Sequence, residues 1–436
     1  MLHYASSDKK VNQSLIVSFW DGIFAASMTG FIQDYFTPFL LTLGASARQI
    51  GIFSALSNLC ASLVQVKSAD TAEKWKSRKK IINIFVFFQA TIILIMASAI
   101  ILHQKSIFFY IVILMFFTSL GAFALPAWGS LMCDLIPDKK RGEYFGWRNK
   151  ILGLVTVITS FVSGYLIYTA KRMGHLVAGF ALIFFLAYVC RMISLFFLTR
   201  MHDPSPQERE QKPLSFFNFI LQIKKNNFGR FVLFISLMSF SVNLSAPFFS
   251  VLMLRDLHFS YMQYTLVMIS SALVIILSNR RWGVHADRMG NLRIIRFTSR
   301  FIIFVPVLWL VNQNPFYLVG VQIISGFVWA GFNLCAGNFI YDACTRENRI
   351  RGIAYYNVTN GFFLCLGSLL GGILSHCLPS LMGTPIFSLL IVSAAARLLT
   401  FLIPFRLEEV RPVEEMRSLA LIFSMIRLPH FKGDEH

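Results

Sequence analysis

An all-α membrane protein, with twelve transmembrane helices in two pseudo-symmetric six-helix bundles, is the fold class this sequence predicts, and three observations predict it. Of its 436 residues 56% are hydrophobic and only 14% charged, and mean hydropathy is +0.62, far from the composition of soluble domains. Apolar windows long enough to cross a hydrocarbon core recur along almost the whole chain; about 20 residues suffice for roughly 30 Å. A set of polar and small residues recurs at one spacing: Asp134, Asn149, Gly153, Ser160 and Gly164 return 208 residues later as Asp342, Asn357, Gly361, Ser368 and Gly372.

The windows follow one another as 14–43, 48–68, 80–102, 106–133, 146–170 and 177–199 in the first half, then 230–254, 260–279, 294–312, 315–341, 353–375 and 384–405 in the second. Charge separates them unevenly. The second and third are divided by Lys74, Lys76, Arg78, Lys79 and Lys80, and the fourth and fifth by Lys139, Lys140 and Arg141. Lys224 and Lys225 precede the seventh; Arg280, Arg281, Arg288 and Arg293 divide the eighth from the ninth; Arg346, Arg349 and Arg351 divide the tenth from the eleventh. The alternate loops carry little beyond Arg48, Lys105, Lys171, Arg172 and Arg255. Basic loops stay on the cytoplasmic side, so both termini are expected there. The expected location is a bacterial cytoplasmic (inner) membrane, where the basic loops suit anionic lipid headgroups; the net charge of +19, confined to loops, implies no nucleic-acid partner. The organisation expected is a bundle at 1–200, a cytoplasmic linker with an amphipathic helix at 201–228, a second bundle at 229–410 and an amphipathic tail at 411–436.

Other classes find little support. The first apolar run is too long for a cleavable signal peptide. The seven cysteines lack metal-type spacing, and His103, His175, His258 and His376 are scattered near outward loops, so neither a metal nor another cofactor is expected. A nucleotide-binding Gly-rich run ending in Lys-Ser or Lys-Thr is absent from the sequence. A membrane-embedded lipid-modifying enzyme would need His, Asp or Cys clustered at one depth.

Further matches strengthen the repeat: Pro38-Phe39 with Pro247-Phe248, Arg141-Gly142 with Arg351-Gly352, and Arg191 and Arg200 with Arg397 and Arg406. Each half has an even number of spans, so the halves share one orientation about an axis along the membrane normal. In the second half Gly283-Val-His-Ala-Asp287-Arg288-Met-Gly290-Asn-Leu-Arg293 reproduces a known signature. Through it the whole chain resembles the major facilitator superfamily of secondary transporters. The first half keeps Asp70 and a basic cluster at that place without the glycines, and the Gly-Pro pair of many antiporters is missing between Gly153 and Gly164. The stretch from Pro126 through Trp128, Asp134 and Pro137 to Arg148-Asn149 resembles a poorly characterised bacterial subgroup.

The resemblance implies a transporter that moves a small organic solute by alternating access as a monomer, with facilitative uniport or ligand sensing as alternatives. Ionisable groups within hydrocarbon are costly, which makes Asp34 the leading candidate. It lies four residues before Pro38, and Asn243 lies four before Pro247. The resemblance puts both on helices lining the central cavity, facing across the pseudo-twofold axis. A carboxylate desolvated when the cavity closes can take up a proton on one face and release it on the other, so protons are the expected coupling partner. Trp128, Gln322, Trp329, Asn333 and Asn338 fall on the fourth and tenth helices, which the resemblance also places on the cavity; aromatic faces with amides suit an amphipathic solute.

Asp21 is 13 residues from Asp34, on another face, and is expected to pair structurally, with Arg148 as one choice of partner. Arg191 and Arg397 are expected to anchor the sixth and twelfth helices or to snorkel toward the inner interface. A gate is expected at the cytoplasmic ends: Asp70 and Asp287 heading the signature loops with Arg288 and Arg293, Asp134 and Asp342 ending the fourth and tenth helices, Arg141 and Arg351 following them, and Asn149 and Asn357 opening the fifth and eleventh. Such carboxylates can bind Arg or helix N-termini of the other half when the inner mouth shuts. Ser160 with Gly164, and Ser368 with Gly372, put small residues on one face of the fifth and eleventh helices for close approach.

Overall fold

The computed structural model describes residues 9–75, 77–136, 138–203, 219–220, 223, 226–343, 349–403 and 405–410. The linker expected to carry an amphipathic helix lies mostly outside the described residues, and the tail from 411 wholly so. The side chains of Asp70, Arg141 and Arg351 are likewise outside them.

Among the described residues twelve helical spans cross the molecule. The first, α1, runs Lys9–Ile32, passes through a tight 3-10 turn at Gln33–Tyr35 and resumes at Phe36–Thr42. Then come α2 (Ala47–Trp75), α3 (Arg78–Ile101), α4 (Ile107–Leu135), α5 (Asp138–Arg172) and α6 (Leu176–Leu198). In the second half α7 (Asn227–Asn243) is likewise interrupted, by a 3-10 turn at Ala246–Phe248, and continues through Phe249–Val251 and a π turn at Leu252–Asp256. It is followed by α8 (Tyr261–Met289), α9 (Asn291–Val311), α10 (Pro315–Ala343), α11 (Arg349–Cys377) and α12 (Pro385–Leu402). Among the described residues eleven of the twelve carry an 18-residue stretch apolar enough to read as a span by composition; α2 carries the polar row Ser54, Asn58, Ser62 and Gln65.

Several helices outrun the apolar windows. The windows 146–170 and 260–279 become α5 and α8, which begin at Asp138 and end at Met289, because backbone hydrogen bonding continues after the sequence turns polar. Asp287 therefore lies on the last turn of a helix rather than in a loop, and Asp70 lies within α2. The break comes at Gly290, whose φ of 84° is open to glycine at little cost; α9 starts at the next residue.

Each half packs within itself, α1 against α5 and α6 and α7 against α11 and α12. The halves meet along two seams, α2 with α11 and α5 with α8. At the end of the bundle away from the termini one apolar core serves both halves, with Tyr35, Phe39, Ile50 and Phe184 packed together with Phe248, Tyr264, Trp309 and Phe387. Toward the termini the buried core divides into two clusters, one of first-half residues around Ile81, Phe123 and Leu131 and one of second-half residues around Phe231, Trp282 and Phe339.

Candidate functional site

The breaks in α1 and α7 have a covalent cause. Proline has no amide hydrogen, so Pro38 leaves the carbonyl of Asp34 without its helical donor, and Pro247 does the same to Asn243. The Asp34 carbonyl accepts instead the Tyr264 hydroxyl at 2.6 Å, across the boundary from α8. The neighbouring Tyr35 hydroxyl donates to the Ser160 carbonyl at 2.6 Å and lies 2.8 Å from Thr265 Oγ1, again on α8. Tyr264 also meets Ser250 Oγ at 3.2 Å. Two of these bonds join the halves immediately beside the membrane carboxylate.

The Asp34 side chain accepts the Ser160 hydroxyl at 3.2 Å. Its repeat counterpart does the same: Ser368 Oγ reaches Asn243 Oδ1 at 3.5 Å. Each polar side chain is thus turned to the fifth helix of its own half. Among the described residues Asp34 has no cationic partner within salt-bridge distance, and its side chain is half-buried.

The two serines also mark the seams. Ser368 Oγ lies 3.1 Å from Ser54 Oγ on α2, and Asn357 donates to Gln65 Oε1 at 2.9 Å farther along the same seam. Glycine permits the contact: a Cβ on Gly51 would stand 2.9 Å from Gly372 Cα. In the other seam Gly164 packs directly on Thr265, and Gly153 on Ile276. The small residues that recur in the sequence therefore build the contacts between halves.

Asp21 sits apart, in a buried polar cluster inside the first half. Its Oδ1 accepts the Ser194 hydroxyl at 2.6 Å, which Arg191 also reaches at 3.3 Å. Arg148 donates to the Ser18 carbonyl at 3.1 Å, and its guanidinium carbon lies 4.6 Å from the Trp128 ring centroid. Arg148 and Arg191 are both buried, so of the two roles expected for Arg191 its surroundings fit anchoring rather than snorkelling: its described polar partner lies within the half-bundle. Arg397 is likewise held inside its half. It is 2% exposed and donates to the Ile302 carbonyl at 2.9 Å and to Ser245 Oγ at 3.2 Å. Pro306 explains this, because it deprives Ile302 of its helical donor and the arginine supplies a substitute.

The remaining candidates are dispersed. Trp128, Gln322 and Trp329 are half-buried and Asn333 is exposed; Trp329 stands edge-on to Phe332 at 5.4 Å. At the end near the termini Asp134 pairs with Arg78 of its own half, and Asp342 accepts Asn291 Nδ2 at 2.9 Å, also within its half. Both of these described contacts lie within a single half. Asp287, Arg288 and Asn149 are exposed and Arg293 is half-buried.

Two carboxylates missed in the sequence complete the pattern. Asp203, just after α6, accepts the Lys79 amide at 3.0 Å, and Glu409, after α12, accepts the Leu292 amide at 2.7 Å. Each neutralises the exposed amides at a helix N-terminus, of α3 and α9 respectively. They stand 206 residues apart, the spacing of Arg191 and Arg397, and that match was available to find them.

Two six-helix halves, each with an interrupted first helix, joined along small-residue seams beside a membrane carboxylate, make up a polytopic membrane protein of repeat-built, carrier type. The model of the Major Facilitator Superfamily matches residues 19–305 and 231–431. The chain belongs to that superfamily and is a membrane transporter. Solved structures with the same fold include a mutant form of the nucleoside transporter NupG, with TM-score 0.69 and 15% identity, covering 91% of this chain and 99% of that one. A bacterial homologue of the human lysosomal transporter Spinster, solved inward-facing and unoccupied, gives 0.65 at 13% identity, covering 91% and 95%. The human organic anion transporter MFSD10 gives 0.60 at 12% identity, covering 90% and 99%. No curated protein matches the chain.

Proposed function

We propose that the protein is a proton-coupled secondary transporter of a small organic solute, with Asp34 as the proton site and the end bearing the termini on the cytoplasmic side of a bacterial inner membrane. The observation that carries this reading is the placement of Asp34: a carboxylate with a serine hydroxyl as its described side-chain partner, at a helix break whose main chain is tied to the opposite half. With no Lys or Arg among the described residues at salt-bridge distance, a proton is the simplest neutralising partner when water leaves the site. The shared core at the far end and the divided cores near the termini support an assignment of this conformation as inward-open. The arginine clasp at Asp134 within its own half fits an inner gate in its released state.

A thermal-shift screen of the purified protein against metabolites, peptides, siderophores and drugs supplies a solute for flux measurements. In proteoliposomes an imposed pH gradient then drives accumulation of that solute by the wild type. Asp34→Asn abolishes the accumulation while leaving counterflow exchange. Gradient-driven uptake that survives in the variant refutes the coupling role and leaves a facilitative carrier; binding without any flux refutes transport of that solute.

A further inference from the structure

The outer face of α9 changes character along its length. Phe304, Val307 and Val311 are 59%, 38% and 69% exposed, and among the described residues no neighbouring helix covers them. On an ideal helix Arg293, Arg296 and Arg300 fall within about 80° of the same strip. The lipid-facing ridge therefore ends, toward the termini, in three arginines spread over about 10 Å of axis. Arg296 and Arg300 are exposed, and among the described residues neither has a carboxylate partner.

Local geometry holds Arg296 and Arg300 in place through contacts that carry no negative charge. Arg300 lies 5.8 Å from the Phe401 ring on α12, and Arg296 gives one N–H to the Leu407 carbonyl at 3.0 Å, leaving the rest of its five-donor fork free for a ligand. Glu409 is engaged in capping α9, and the main chain of Glu408 is held by Asn227. Leu398 and Leu402 on α12 are 44% and 63% exposed beside this face, so apolar surface from two helices runs into one basic rim. The feature is not demanded by the repeat. Aligning the capped amides of Lys79 and Leu292 places Lys80, Asn83 and Phe87 at the matching positions of α3, one charge where the second half has three.

We infer that the α9–α12 groove is a binding site for an anionic phospholipid, with Arg296 and Arg300 forked on its phosphate and its acyl chains lying along Phe304, Val307, Leu398 and Leu402. Guanidinium geometry matches phosphate oxygens bidentately. Basic positions at headgroup depth attract anionic lipid, while the ridge below them accepts hydrocarbon chains. The site faces away from the seam between the halves, so it stands whether or not Asp34 carries a proton.

Native mass spectrometry of the full chain, with phosphatidylglycerol or phosphatidylcholine added to detergent micelles, tests this. The wild type should retain phosphatidylglycerol over phosphatidylcholine, and Arg296→Gln/Arg300→Gln should lose that preference by roughly tenfold. Arg296→Lys/Arg300→Lys, which keeps the charge and guards against misfolding of the glutamine variant, should retain most of it. Equal retention by the wild type and the glutamine variant overturns the proposal. So does competition by inorganic phosphate at the same concentration as lipid, which would mark a free-anion site.

Discussion

A single missing hydrogen atom organises the centre of this molecule. Pro38 removes the donor for the Asp34 carbonyl, and the hydroxyl of Tyr264 takes its place from the other half. Main-chain and side-chain oxygens of one residue thus serve different tasks, the carbonyl in closure of the far end and the carboxylate in the bond to Ser160. Tyr264→Phe removes one hydrogen bond of about 1 kcal/mol while keeping the ring. The far end should then open more often, by roughly two- to tenfold in population, and hydrogen–deuterium exchange should accelerate in peptides covering 33–43 and 257–268. Unchanged protection there would show that the bond does not hold the end shut. The position of Asp34 was legible from its charge and its proline, because both are written locally. Tyr264 was not: the chain announces a carbonyl without a donor, but the donor comes from 230 residues away, where nothing in the hydropathy of α8 distinguishes one tyrosine from another.

Proline also explains the element that sequence reasoning placed least well. Arg191 and Arg397 read in the sequence as twins that either anchor the last turns of their helices or snorkel toward the inner interface. Inside the bundle they have diverged: Arg191 shares Ser194 with Asp21, whereas Arg397 mends the Ile302 carbonyl opposite Pro306. The repeat predicts the position of both side chains and misses their partners, because the other half has Ile93 at the place of Pro306 and Arg230 at the place of Asp21. Arg397→Met should lower stability by about 1–3 kcal/mol, the cost of leaving a buried carbonyl unsatisfied, read as an earlier thermal midpoint in detergent. Pro306→Ala restores the amide, so the double variant should recover much of that loss. Strictly additive effects of the two substitutions would mean that the arginine and the proline are not coupled.

At the scale of the whole molecule, the twice-written small residues turn out to be the bearing surface between the halves. Ser160 and Ser368 touch the polar residue on the broken helix of their own half, and Ser368 touches α2 of the other half as well. A shift of a seam is therefore felt at Asn243 without any intervening loop, and the shared far-end core gives the same directness to Asp34. Packed interfaces of this kind favour discrete arrangements over continuous deformation. If solute passes by rocking of one half against the other, fixing one seam must stop the cycle. Ser54 and Ser368 offer the place, their hydroxyl oxygens being 3.1 Å apart, within reach of a disulfide once both are cysteine. Ser54→Cys/Ser368→Cys should form an intramolecular crosslink under mild oxidant, lose solute flux, and regain it with reductant, while the wild type with its native cysteines is unaffected by the same treatment. A crosslinked protein that still transports at the reduced rate would show that the α2–α11 seam stays fixed through the cycle, and that the halves do not move against each other there.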